Sequence, residues 1–138
     1  MPMSSGAATT GEGFRAQAMI LAAGRGERMK PLTDAAMLGE WCVKAVNAVG
    51  LQPVNQLFHT FPATDKGPGG VTATVLLAES HLCVHTWPEQ KAVTLDVYVC
   101  NFGGDHSAKA RGLMFALVNR FQPEWTEQRS LDRGDADE

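Results

Sequence analysis

The chain has 138 residues, 44% of them hydrophobic and 20% charged, with a formal net charge of -3. That is enough to bury one core but not two, so a single domain is expected, and the mildly acidic balance argues against nucleic acid as a partner. The longest apolar runs, "AMILAA" and "VLLA", are far short of a membrane span, and the N-terminus lacks the charged-then-apolar order of a signal peptide, so no membrane partner and a cytoplasmic location are expected.

Residues 1–17, rich in Ser, Gly, Ala and Thr, are expected to form a mobile tail. The domain proper is expected over 18–131, opening on a strand in "AMILAA" with Met19 and Leu21 buried. Thr33 or Asp34 caps a helix carrying Met37, Leu38, Trp41, Ala45 and Val49 on one face, and Gly50 ends it. "PVNQLFHTF" reads as a strand, and "PATDKGPGG" as a loop on its Pro and Gly density. Three strand candidates come next, "VTATVLLAES", "HLCVHTW" and "AVTLDVYVC". The last alternates Val93, Leu95, Val97 and Val99 against Thr94, Asp96, Tyr98 and Cys100. A second helix, capped at Asp105 or Ser107, buries Ala110, Leu113, Met114, Leu117 and Phe121. A last strand leads to an acidic tail at 132–138. The fold class expected is α+β, a two-layer α/β sandwich with a mostly antiparallel sheet and two helices on one face. The other face then needs cover, and a homodimer is the expected assembly.

Cys42, Cys83 and Cys100 include no CxxC pair, which predicts free thiols and neither a disulfide framework nor a zinc ribbon. "ILAAGRGERMKPLTD", residues 20–34, resembles the opening signature of sugar-phosphate nucleotidyltransferases, in which Gly24, Gly26 and Arg28 would wrap a phosphate. The chain then continues into a short helix and antiparallel strands rather than a doubly wound domain. The segment is therefore expected to be a surface turn after a first strand.

The densest chemistry lies in "AESHLCVHTWPE", residues 78–89. His81, Cys83 and His85 alternate and would share a strand face, as zinc ligands can. That reading leaves Ser80 and Glu89 without roles, and no metal site is expected. "AESHL" also lacks the tight elbow of a serine hydrolase.

"AESHLCVHTWPE" followed by "LDVYVC" resembles the S-adenosylmethionine decarboxylase proenzymes of the bacterial and archaeal type, and the resemblance runs from about 34 to 130. It implies a pyruvoyl-dependent enzyme that cuts its own chain between Glu79 and Ser80. The products would be a β chain, 1–79, and an α chain, 80–138. Ser80 would become the covalent pyruvoyl cofactor, a carbonyl that forms a Schiff base with the substrate amine and acts as electron sink.

The resemblance also assigns roles. His85 serves processing and catalysis and, near the adenine, substrate binding. Thr72, where a Ser is usual, assists the cleavage. Cys100 is the proton donor, Phe61 stacks on adenine, and Glu89 holds the ribose hydroxyls. The implied partner is S-adenosylmethionine, decarboxylated to the aminopropyl donor for spermidine synthesis, in a homodimer of αβ units. Two other readings stay open: a pyruvoyl-dependent decarboxylase of ornithine or arginine, and a non-catalytic binding subunit. Cys83, His59 and His106 are expected to be packing, strand-surface and helix-start residues, and Trp41 and Trp125 core or interface residues.

Overall fold

The computed structural model describes residues 13–22, 30–101 and 104–133. Its strands are β1 (Gly13–Ala22), β2 (Pro53–Thr60), β3 (Val71–Leu77), β4 (Ser80–Trp87), β5 (Ala92–Cys100) and β6 (Pro123–Arg133), and its helices are α1 (Ala35–Ala48) and α2 (Ser107–Arg120). The six strands form one sheet in the order β2-β3-β4-β5-β1-β6, with every neighbouring pair antiparallel. α1 packs on β2 and β3, and α2 on β1 and β5. This is the two-layer α+β sandwich that the short connections predict.

Period-two burial builds the core. β3 buries Val71, Ala73, Val75 and Leu77, and β5 buries Val93, Leu95, Val97 and Val99 in the phase expected. α2 buries all five residues expected of it and Val118 as well. α1 is rotated slightly from its expected face: Leu38, Cys42 and Val46 are fully buried, while Trp41, Ala45 and Val49 pack from the side. Burial pushes the Cys42 thiol up to about 12, so it stays protonated and unreactive. Alkylation of the native protein at mildly alkaline pH should leave Cys42 unmodified until the chain is unfolded, as peptide mass spectrometry would show.

Two boundaries differ from expectation. The first strand starts at Gly13, not 18, and Phe14 and Ala16, assigned to a tail, are in the core. The phase of β1 is also opposite to that expected. Phe14, Ala16, Ala18 and Ile20 are buried, whereas Met19 is 40% exposed. A short strand buried mainly on one face gives little phase information, and the Gly- and Ser-rich start hid its first half. At the other end β6 runs to Arg133, into the stretch expected as an acidic tail. Phe14 is 1% exposed and lies beneath the Arg111 guanidinium at 4.4 Å. Phe14→Ala should cost about 3 kcal/mol by urea unfolding, where a residue in a mobile tail would cost nothing.

Helix ends are set by side chains and one glycine. Asp34 caps α1, its Oδ1 accepting from the Met37 N–H at 3.1 Å. Gly50, at φ +88°, closes it: its N–H reaches the Asn47 carbonyl, and the Leu51 N–H reaches Val46. His106 is the N-cap of α2 but makes no side-chain cap bond. Asp105 supplies it, accepting from the Ser107 N–H at 2.9 Å, and that bond holds its carboxyl below the usual range.

Among the described residues no layer covers the face away from the helices. Register places Arg15, Cys83, His85, Asp96, Tyr98 and Cys100 on it, together with exposed Met19, Leu57, Leu76, Trp87, Trp125 and Leu131. At its centre Arg15 forks onto Asp96, with Nε–Oδ1 2.9 Å and Nη2–Oδ2 2.6 Å. This pair raises the Arg15 pKa further.

Candidate active site

At one end of the sheet, β3 and β4 are joined by a two-residue turn, Ala78–Glu79, with Leu77 opposite Ser80. The turn is fastened from two sides. The Glu79 carbonyl oxygen accepts from the Cys100 N–H at 2.8 Å, and the Ala78 N–H donates to the Gln52 carbonyl at 2.8 Å. The Glu79 carboxylate accepts from the Gln52 N–H at 3.2 Å. Ser80 opens β4 half-buried, in phase with Leu82 and Val84. Cys100 closes β5 in phase with Asp96 and Tyr98, on the open face. Glu79, Ser80 and Cys100 therefore meet at this end, the hydroxyl and the thiol approaching it from opposite faces.

At the other end, Thr72 Oγ1 lies 2.6 Å from His85 Nδ1. Cross-strand pairing puts the two residues directly opposite each other. A cavity of about 490 Å³ opens beside them, lined among others by Phe61, Lys66, Thr72, His85, Trp87 and Glu89. That volume suits a nucleoside-sized ligand. Phe61 is 49% exposed, with the His59 ring edge-on to it at 4.9 Å. Its N–H donates to the Gly70 carbonyl at 2.9 Å. Gly69 and Gly70 are needed here: a Cβ would fall 2.1 Å from the Phe61 oxygen or 2.2 Å from the Thr86 oxygen. The intervening loop doubles back on itself through paired Thr64 and Gly67 backbone bonds.

The structure thus gathers the expected site residues into two groups rather than one. Ser80 and His85 both lie on β4, five positions apart, so about 16 Å of strand separates them. Between the two ends a second cavity, of about 450 Å³, lies on the open face against Cys83, His85, Asp96, Glu127 and Arg129. Glu127 and Arg129 were not singled out from the sequence. The alternation of Trp125, Glu127, Arg129 and Leu131 was the available signal. Cys83 is half-buried with its Sγ 3.7 Å from Thr74 Oγ1. Among the described residues no group of three His, Cys, Asp or Glu side chains converges as a metal site.

An antiparallel sheet backed by two helices thus carries a Glu-Ser turn at one end and a cavity lined by an aromatic and a carboxylate at the other. The crystal structure of the adenosylmethionine decarboxylase from Aquifex aeolicus superposes with a TM-score of 0.75 and 28% identity, over 91% of this chain and 92% of that one. The family model described as S-adenosylmethionine decarboxylase matches residues 19–134, and the chain belongs to this family.

The chain is 39% identical over 90 residues to the S-adenosylmethionine decarboxylase proenzyme of Hydrogenobaculum sp., spanning 65% of this chain and 60% of that protein. With the proenzyme of Archaeoglobus fulgidus it is 37% identical over 91 residues, 66% of this chain and 73% of the other. The family match begins fifteen residues before the start at 34 expected from the motifs, and so includes the nucleotidyltransferase-like stretch. Residues 20–22 of that stretch end β1, and Pro31 and Leu32 are buried in a short 3-10 turn. Gly24, Gly26 and Arg28 lie outside the described residues.

Proposed function

We propose that the chain is a self-cleaving, pyruvoyl-dependent decarboxylase of S-adenosylmethionine, supplying the aminopropyl donor for spermidine synthesis. The observation that carries this reading is the Glu79 carbonyl held by the Cys100 N–H beside Ser80. The donor polarises the carbonyl and stabilises negative charge on its oxygen when the Ser80 hydroxyl attacks the carbon. The Glu79–Ser80 amide C–N bond breaks as the ester bond forms. Loss of the Ser80 α-proton then expels the main-chain carboxylate of Glu79 from Cβ, leaving a dehydroalanine that tautomerises to an imine. Water replaces its nitrogen, releasing ammonia and leaving a pyruvoyl group at the start of residues 80–138. Serine fits because one oxygen must serve as nucleophile and then as leaving group. Bound to substrate, the pyruvoyl carbonyl supplies the electron sink for loss of carbon dioxide.

The remaining residues bind and move protons. Phe61 offers a face for a purine, and Glu89 offers acceptors for ribose hydroxyls in the same cavity. His85, with Nδ1 engaged by Thr72, keeps Nε2 for proton exchange. Cys100 returns a proton to the substrate carbon. A cavity that pairs an aromatic with a carboxylate favours a nucleoside over ornithine or arginine, and a substrate panel tests that choice directly.

The separation of the two groups of residues makes a second copy part of the site. Two chains stacked through their open faces with strands reversed bring the Ser80 end of each against the His85 end of the other. This assembly also covers the exposed Met19, Trp125 and Leu131. Intact mass of the purified protein is the first test of the whole reading: a single uncut chain of 138 residues would overturn it. Cys100→Ala should still process substantially, because the N–H that holds Glu79 remains. It should lose turnover by at least about a hundredfold, and full activity in a cleaved sample would remove Cys100 from the chemistry.

A further inference from the structure

Beyond the residues already given roles, the structure assigns Thr86 as the positioning residue of the Thr72–His85 pair, an inference that rests on the proposed decarboxylase reading for its functional consequence. Thr86 is 5% exposed, one of two buried polar residues among the described core. Its hydroxyl donates to the Leu32 carbonyl at 2.6 Å and accepts from the Val71 N–H at 2.8 Å. Three separate stretches of chain are tied at one oxygen: the end of β4, the start of β3, and the turn that precedes α1.

The place of this knot matters. Backbone pairing of β3 with β4 stops at Thr72 and His85, so the pair sits on the last rung of the ladder, where strands fray. Val71 and Thr86 would form the next rung. Instead of a backbone partner, the Val71 N–H takes the Thr86 hydroxyl, and the ladder is closed by a side chain immediately beyond the two functional residues. Gly70 packs on the backbone of the same residue, since a Cβ there would lie 2.2 Å from the Thr86 carbonyl oxygen, and the Gly70 carbonyl holds the Phe61 N–H. The Thr86 hydroxyl thereby fixes the rung that carries Thr72 and His85, next to the loop end that carries Phe61. Thr86 borders the 490 Å³ cavity, but its hydroxyl is taken up by Leu32 and Val71, so it acts through its neighbours. The Leu32 carbonyl gives the unusual 20–34 segment its part in the site, as one anchor of the hydroxyl.

Thr86→Val keeps the shape and strand preference but leaves a buried N–H and a buried carbonyl unpaired. It should slow self-cleavage by at least about tenfold, while Thr86→Ser, which keeps the hydroxyl, should stay within about threefold of the parent. Leu113→Ala, a core change far from the knot with a comparable loss of stability, should cleave at the parental rate. A second readout does not depend on cleavage. In the Ser80→Ala chain, nitrogen NMR of the His85 ring should show the Nδ1 hydrogen bond weakened by Thr86→Val and kept by Thr86→Ser. If Thr86→Val yields no folded protein, Thr86→Cys, a far weaker donor of similar size, takes its place under the same criteria. Cleavage of Thr86→Val at the rate of Leu113→Ala, or an unchanged His85 signal, overturns the inference. A parent chain that never cleaves overturns the functional reading instead, and the His85 signal still decides whether Thr86 positions the ring.

Discussion

Ser80→Ala should leave one uncut chain where the parent should give two fragments. The substitution removes the hydroxyl proposed to attack the Glu79 carbonyl, while the bonds from Cys100 and Gln52 to Glu79 do not involve the Ser80 side chain. The fold should therefore persist, with unfolding midpoints close to those of the parent, and decarboxylase activity should fall to background. Electrophoresis under denaturing conditions and intact mass read the outcome. The parental fragment 80–138 should also resist Edman degradation, since a pyruvoyl group replaces its amino terminus. Cleavage of Ser80→Ala at the same bond would remove Ser80 as the nucleophile and with it the basis of the proposed chemistry.

Co-expression of two inactive variants should restore cleavage in only one of them. His85→Ala alone should process at least about a hundredfold more slowly than the parent, and Ser80→Ala not at all. In a mixed dimer the His85→Ala chain still carries an intact Glu79–Ser80 junction and meets the His85 of the Ser80→Ala chain across the interface. That junction should be cut, while the Ser80→Ala chain stays whole. Differential tags on the two chains distinguish them by mass. If the mixture processes no better than the two variants do separately, the site is not shared between chains. The separation of Ser80 and His85 along β4 would then have to be closed by movement within one chain. Either result would be visible in a single preparation.

Much of the architecture was legible because burial is periodic where it matters most. β5 alternates from Val93 to Cys100, and α2 with its C-cap places Ala110, Leu113, Met114, Leu117 and Phe121 on one stripe, so both could be read from pattern alone. β1 could not. Two of its four buried hydrophobic residues, Ala16 and Ala18, are small, and alanine gives no contrast between a buried and an exposed position. β6 was expected as a last strand but its end was not: as an edge strand its side chains are largely exposed, and the alternation of aromatic, acidic, basic and aliphatic residues on one face gives no sharp stop. For the site, "ESH" and "HTWPE" named the residues through family resemblance. Nothing in a linear motif says that Ser80 and His85, close in sequence, stand at opposite ends of an extended strand. The hydroxyl of Thr86 was likewise invisible, because its partners Leu32 and Val71 contribute only backbone atoms, whose identity a sequence does not record.

The strand order β2-β3-β4-β5-β1-β6 has a consequence for the life of a cut molecule. A break between residues 79 and 80 assigns β1, β2, β3 and α1 to one fragment and β4, β5, α2 and β6 to the other. These do not lie side by side as two halves. β1 is threaded between β5 and β6, with a ladder on each edge, while β3 pairs with β4 at a third seam. Neither piece has a contiguous sheet of its own, since removing β1 detaches β6 from β5 and leaves β2 and β3 as an isolated hairpin. The fragments are interlaced, and separation requires the backbone bonds on both edges of β1 to open together. Cleavage should therefore be a one-way event in the history of the chain. Before it, folding is a unimolecular search. After it, recovery from denaturant becomes an encounter between two incomplete partners, slower at lower protein concentration.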